Sequence, residues 1–175
     1  MMPPSSNSYA LAAGACFALA GATCDLRGHR IPNRLTGSAI LIALASSALF
    51  GGTRAFLDSL AACLLAGGAF AVMFFLGGMG GGDVKLMAAI AAFAGLGRLA
   101  ELLLSTALAG GLFALATAIL RGQLRVTLRR IVGWAHARTA PDDSSTKSEP
   151  RLYLPYGVPI AVGALLTFYN GVLAS

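Results

Sequence analysis

Apolar runs of bilayer-crossing length, each ended by glycine, proline or charge, follow one another along this chain and leave it few possible folds. An α-helix needs roughly 17–25 apolar residues to cross about 30 Å of hydrocarbon, and it satisfies its own backbone polar groups where lipid cannot. Six candidate spans can be drawn, at about 9–24, 35–50, 55–76, 84–96, 99–120 and 153–173. The breaks hold Arg27 to Arg34 with Pro32, Gly51-Gly52, the run from Gly77 to Gly82, Gly95 to Arg98, and a polar segment from Arg121 to Arg151. Glycine, proline and charge are what turns require. The expected fold is therefore all-α: a polytopic membrane protein of about six transmembrane helices. It forms a single membrane domain over 1–175, with a cytoplasmic loop and linker at about 121–151.

Composition agrees, since 57% of residues are apolar and only 11% charged, far from the averages of a soluble domain. The net charge of +6 could point to nucleic acid, but no nucleic-acid motif is present and the basic residues lie beside apolar runs. Topology explains them better. If the first, third and fifth loops face the cytoplasm, they and their flanks hold Arg27, Arg30, Arg34, Lys85, Arg121, Arg125, Arg129, Arg130, Arg138, Lys147 and Arg151. Only Arg54 and Arg98 remain outside, a strong positive-inside bias. No Lys or Arg precedes the first apolar run, so it is expected to be a retained span rather than a cleaved signal.

In the fifth loop, Leu124, Leu128, Ile131, Val132 and Ala135 recur at helical spacing, with Arg121, Arg125 and Arg129 on another face. This reads either as a basic amphipathic helix on anionic lipid or as a cytoplasmic extension of the fifth helix. Residues 139–150 have the composition of a linker. Cys16, Cys24 and Cys63 lie in or beside apolar segments without Cys-x-x-Cys spacing, and His29 and His136 stand alone, so neither a metal site nor a disulfide framework is expected.

The few acidic residues carry most of the functional information. Asp142, Asp143 and Glu149 lie in the polar linker, where solvation accounts for them. Asp58 and Glu101 fall near the N-terminal ends of the third and fifth spans, positions where carboxylates complement the helix dipole, and Arg98 lies one turn before Glu101. Asp25 closes the first span and Asp83 opens the fourth, so two crossings separate them and both face the same side. The fourth span is short, about 15 residues or about 22 Å against roughly 30 Å of hydrocarbon. Either the bilayer thins there or Asp83 lies below the surface, and an ionisable group inside a membrane is by default a functional candidate. Two nearby carboxylates can share a proton and activate water on a peptide carbonyl. Equally, Asp83 could be an N-cap and Asp25 an interface partner of Arg27 or Arg30. A carrier with intramembrane carboxylates, such as a small transporter or proton-coupled carrier, is the alternative from a different class.

Neighbouring residues carry a resemblance. Gly80-Gly81-Gly82-Asp83 with Lys85 resembles the GxGD signature of intramembrane aspartic proteases in its type IV prepilin peptidase form. Asp25 with Arg30-Ile31-Pro32-Asn33 and Leu35 is similar to that family's other catalytic-aspartate motif, and Pro155-Tyr156-Gly157 resembles its PYG segment. The resemblance implies an aspartic endopeptidase with Asp25 and Asp83 as catalytic residues. It needs no metal or organic cofactor, and it removes a short basic leader from prepilin or pseudopilin precursors in type IV pilus assembly or protein secretion. Gly80, Gly82, Lys85, Arg30, Pro32, Asn33, Pro155, Tyr156 and Gly157 would shape the site or touch substrate. Glycines let the backbone approach a substrate strand closely, and Lys85 reads either as an electrostatic neighbour of the aspartates or as a snorkelling interface lysine. Larger family members add a cytoplasmic domain with paired Cys-x-x-Cys motifs and methylate the new N-terminus. This chain instead resembles the short, peptidase-only members associated with tight-adherence pili, which implies cleavage without N-methylation. Its implied setting is the bacterial inner membrane, with a substrate helix and lipids as its partners and the active site facing the cytoplasm.

The charge bias makes a direct prediction. Reporter fusions at Gly28 and Ser144 should report the cytoplasm and one at Gly52 the opposite side; an extracytoplasmic signal at Ser144 would break the shared-face relation of Asp25 and Asp83.

Overall fold

A computed structural model describes residues 6–28, 31–76, 79–120 and 156–173, and these are helical throughout apart from short turns. The helices are α1 (Ser6–Gly28), α2 (Asn33–Phe75), α3 (Gly81–Ala94), α4 (Leu96–Leu120) and α5 (Gly157–Leu173). The chain forms two compact units, Met1–Gly110 with Pro155–Ser175, and Gly111–Leu154. Of the second, the described part is the end of α4. The basic segment expected around 121–135 and the linker after it lie outside the described residues.

Among the described residues, three helices are long and apolar enough to cross a membrane, over Tyr9–Gly28, Asn33–Phe75 and Leu96–Thr117. A straight helix of 43 residues would reach about 65 Å, twice a bilayer's hydrocarbon. It is not straight. Gly52 takes φ 71° and ψ −167°, a conformation closed to most side chains, and the helix breaks there into arms 33–51 and 53–75. The contacts of α3 give the direction of each arm. Along the second arm, Ser59 Oγ donates to the Ala92 carbonyl at 2.6 Å, Gly67 lies against Ala88, and Phe74 against Gly81, so this arm runs antiparallel to α3. At the other arm, Ile31 meets Gly82 and Asn33 meets Lys85, and Ala39 and Ala43 share a core with Ala92 and Phe93, so it runs parallel to α3. The two arms therefore form a hairpin turning at Gly51-Gly52.

Helix α3 is the centre of this unit. Nine of its fourteen residues are buried, on every side, as a helix apolar all round must be. Leu86, Met87 and Ile90 fill a core with Ala18, Ala22, Ala62, Ala66, Leu102, Ile160 and Ala164. Its neighbours present mostly alanine and glycine, which let backbones approach closely where no water is present to drive association. The large apolar side chains point the other way: Leu41, Phe50, Leu64, Leu104 and Leu108 are exposed. Small residues inside and large ones outside suit lipid as the solvent.

At the end of α3 away from Asp83, polar groups tie helices together. The Leu96 amide donates to Asp58 Oδ2 at 3.0 Å, so Asp58 serves the start of α4 as well as its own arm. Arg98 pairs with Glu101 at 3.4 Å, and Asn170 Nδ2 donates to Glu101 Oε1 at 2.6 Å, joining α4 to α5.

The α4–α5 crossing depends on Gly163, where an added Cβ would meet the Thr106 amide nitrogen at 2.9 Å and its Cα at 3.0 Å. Backbone cannot step aside as a side chain can. Gly163→Ala should destabilise the purified protein by about 1–3 kcal/mol, read as a lowered thermal midpoint in detergent. Gly68→Ala, at a helical position with nothing within 4 Å, should leave that midpoint unchanged or slightly raised.

Candidate active site

Asp25 lies in the last turn of α1 and is fully buried. Its Oδ2 accepts the Gly157 amide at 2.9 Å, from the first residue of α5. The first amides of a helix lack intrahelical acceptors, and the dipole favours negative charge there, so α5 presents a donor suited to a carboxylate. Glycine is required at this contact. A Cβ on Gly157 would lie 3.0 Å from both Cβ and Oδ2 of Asp25, and 3.2 Å from the Ala22 Cα.

Asp83 is the third residue of α3 and is 3% exposed. Its Oδ2 accepts the Gly80 amide at 3.2 Å, closing half of a capping box across the glycine turn. Its Oδ1 is buried with no hydrogen-bond partner among the described residues. An unpartnered buried oxygen costs roughly 1–3 kcal/mol, more when charged, so each such group needs an explanation. Asp25 lies close enough for its charge to act on Asp83. The N-cap contact expected of Asp83 is present through Oδ2 and does not use Oδ1.

The segment between α1 and α2 packs against the glycine turn. Pro32, with φ −62° and ψ 132°, supplies the carbonyl that accepts the Leu35 amide at 3.0 Å and so opens α2. Asn33 begins the helix, and its Oδ1 accepts Lys85 Nζ at 2.9 Å. Lys85 thus ties the start of α2 to the helix that carries Asp83. Ile31 lies 3.2 Å from where a Gly82 Cβ would sit, so Gly82 gives the loop its closest approach to α3. Tyr156 is half-buried at the turn before α5, and its carbonyl accepts the Ile160 amide at 3.2 Å. Arg30 and Pro155 lie outside the described residues.

One end of the helices thus gathers Asp25, Pro32, Asn33, Gly80, Gly82, Asp83, Lys85, Tyr156 and Gly157, while Asp58 and Glu101 stand at the other. Ile31 and Phe74, which packs near Gly81 at 3.6 Å, were not singled out by their chemistry. The available signal for Ile31 was an apolar residue isolated between Arg30 and Pro32.

Apolar helices around a buried carboxylate pair define an integral membrane protein with a polar site at one end of its helices. The type IV leader peptidase family model matches residues 12–115, and the chain belongs to that family. The matched stretch contains Asp25, Asn33 and the turn from Gly80 to Lys85, and it ends before Tyr156 and Gly157. Neither a curated protein nor a solved structure matches the chain. The family is one of peptidases, and its match lends no support to the carrier alternative.

The Gly157 contact is testable. Gly157→Ala should displace Asp25 and lower leader cleavage tenfold or more, equivalent to about 1.4 kcal/mol or more, while the protein still accumulates in the membrane. Gly28→Ala, with nothing within 4 Å, should cleave normally in the same assay.

Proposed function

We propose that this protein is an aspartic endopeptidase that removes the short basic leader from type IV prepilin or pseudopilin precursors at the cytoplasmic face of the bacterial inner membrane. The observation that carries the reading is the burial of Asp25 and Asp83 at one end of the helices, with the charge of Asp25 acting on Asp83, in a chain of the leader peptidase family. In this reading the two arms of α2 cross with α1, α3, α4 and α5, six crossings in all, and the charge bias would turn the aspartates to the cytoplasm.

In the reaction, two facing carboxyl groups hold one proton between them, because repulsion and desolvation oppose a second charge. The ionised carboxylate takes a proton from water as its oxygen attacks the scissile carbonyl. The carboxylic acid gives its proton to the developing oxyanion. When the tetrahedral adduct collapses, the C–N bond breaks, the nitrogen leaves with the proton first taken from water, and one hydroxyl of the adduct returns its proton to the other carboxylate. The Gly157 amide holds Asp25, and the Asn33–Lys85 bridge holds the loop between the aspartates, so the pair meets substrate with its geometry already set. A leader in the cytoplasm and an apolar helix in the bilayer would bring the scissile bond to this depth. Cleavage without N-methylation is part of this proposal, as the resemblance to the short, peptidase-only members implies.

Co-expression with a cognate prepilin tests this. Asp25→Asn and Asp83→Asn should each abolish the leader-sized mobility shift without loss of the protein from the membrane, because an amide can neither take the water proton nor share one. The double variant should look no worse than either single one. Asp58→Asn and Glu101→Gln should still cleave, and mass spectrometry of the wild-type product should find a free amine at the new N-terminus. Substantial processing by either Asp25→Asn or Asp83→Asn would sink the assignment.

A further inference from the structure

At about 1.5 Å per residue, the fourteen residues of α3 reach about 21 Å, some 9 Å short of a hydrocarbon core of roughly 30 Å. The neighbours of α3 show at which end the deficit falls. Helix α1 runs antiparallel to it, with Gly21 beside Leu86 and Gly14 beside Phe93, and continues beyond Phe93 for two more turns. Both arms of α2 also run on past Phe93 to their turn at Gly52. Above the Gly95 end of α3 these walls enclose a cavity of about 580 Å³, at the opposite end of α3 from Asp83.

The cavity is lined as an amphiphile would need. Tyr9, at 62% exposed, and Phe50, at 81%, stand at its rim, where aromatic residues mark a membrane–water interface. Ser46, Ser47, Asp58 and Arg98 line its interior. Glu101 also lines the cavity, bonded to Arg98 at 3.4 Å, so an occupant meets groups of both signs there. Asp58 uses Oδ2 for the Leu96 amide, while the Arg98 fork has five donors, more than Glu101 can use. A carboxylate and a guanidinium in one cavity complement an ammonium and a phosphate held a few bonds apart. A helix shorter than the bilayer is accommodated by local thinning, which draws a headgroup inward.

We propose that this cavity seats the headgroup of one ethanolamine phospholipid, with its ammonium at Asp58, its phosphate at Arg98 and its acyl chains along the lipid-facing helices. The bound headgroup replaces the missing turns of α3 and caps the polar end of the bundle. The site is separate from the aspartate pair and does not depend on the proposed reaction.

The test uses the full-length protein in nanodiscs of equal phosphatidylethanolamine and phosphatidylglycerol, transferred to mild detergent and examined by native mass spectrometry. Wild-type protein should retain one phosphatidylethanolamine, at least tenfold in preference to phosphatidylglycerol. Filling the cavity with Ser46→Leu and Ser47→Leu together, or removing the phosphate partner with Arg98→Gln, should cut retention tenfold or more. Leu108→Ala, on an exposed face outside the cavity, should leave it unchanged. As a measurement needing no variant, phosphatidylethanolamine with a photoreactive headgroup should label peptides spanning 42–59 or 92–101. Equal retention of the two lipids, no retained lipid, retention that survives filling, or headgroup labelling confined to other peptides would each overturn the proposal.

Discussion

The hydrogen bond from the Gly157 amide to Asp25 joins residues 132 positions apart, and the site depends on it. A carboxylate at the end of α1 meets that helix's own unfavourable C-terminal dipole, so burial there needs a compensating donor. The start of α5 supplies one, at a residue without a side chain that would otherwise hold the helices apart. With α1 and α5 fixed at this point, Ala18 and Ala22 of α1 enter the same core as Ile160, Ala161 and Ala164 of α5. One polar contact and a strip of small residues therefore act together: the strip brings the helices close, and the contact sets their register.

The second aspartate is placed by different physics. Asp83 is held by the glycine turn through Gly80 and by burial of the rest of α3 on all sides, which leaves that helix no freedom to slide. Ile31 against Gly82 and Asn33 against Lys85 then fasten the loop after Asp25 to the helix carrying Asp83. The Lys85–Asn33 bond is exposed, and bonds of that kind contribute about 1 kcal/mol. Its importance lies in which two segments it joins.

Much of this was legible in the sequence because membrane folding constrains strongly. The helical class and the break at Gly51-Gly52 follow from apolar run lengths and glycine, and the shared end of Asp25 and Asp83 follows from counting crossings between them. The family resemblance also marked Gly80 and Gly157. Other features have no local signature. Nothing in the composition around Lys85 says that its ammonium meets Asn33, 52 positions earlier, because that pairing exists only once the hairpin and α3 have packed. Asp58 could be read as serving its own helix dipole, yet its oxygen reaches the Leu96 amide 38 positions away. The cavity is still less local: it is space left between helices of unequal length, and the shortness of α3 was its only trace in the sequence.

The two ends of α3 treat carboxylates differently, and the difference bears on what each is for. At the far end every acidic group has a donor: Leu96 for Asp58, Arg98 and Asn170 for Glu101. The fold is evidently able to satisfy acids held at the ends of its helices. At the near end two acids are buried more deeply, the charge of Asp25 acts on Asp83, and Asp83 Oδ1 has no partner among the described residues. A purely structural acid in that position would be replaced by asparagine or an apolar residue at a gain in stability, since mutual repulsion and desolvation both oppose it. Keeping such a pair makes physical sense where a third group is to enter between them. In the proposed reaction, a water molecule or a peptide carbonyl would meet Asp83 Oδ1, which has no hydrogen-bond partner among the described residues.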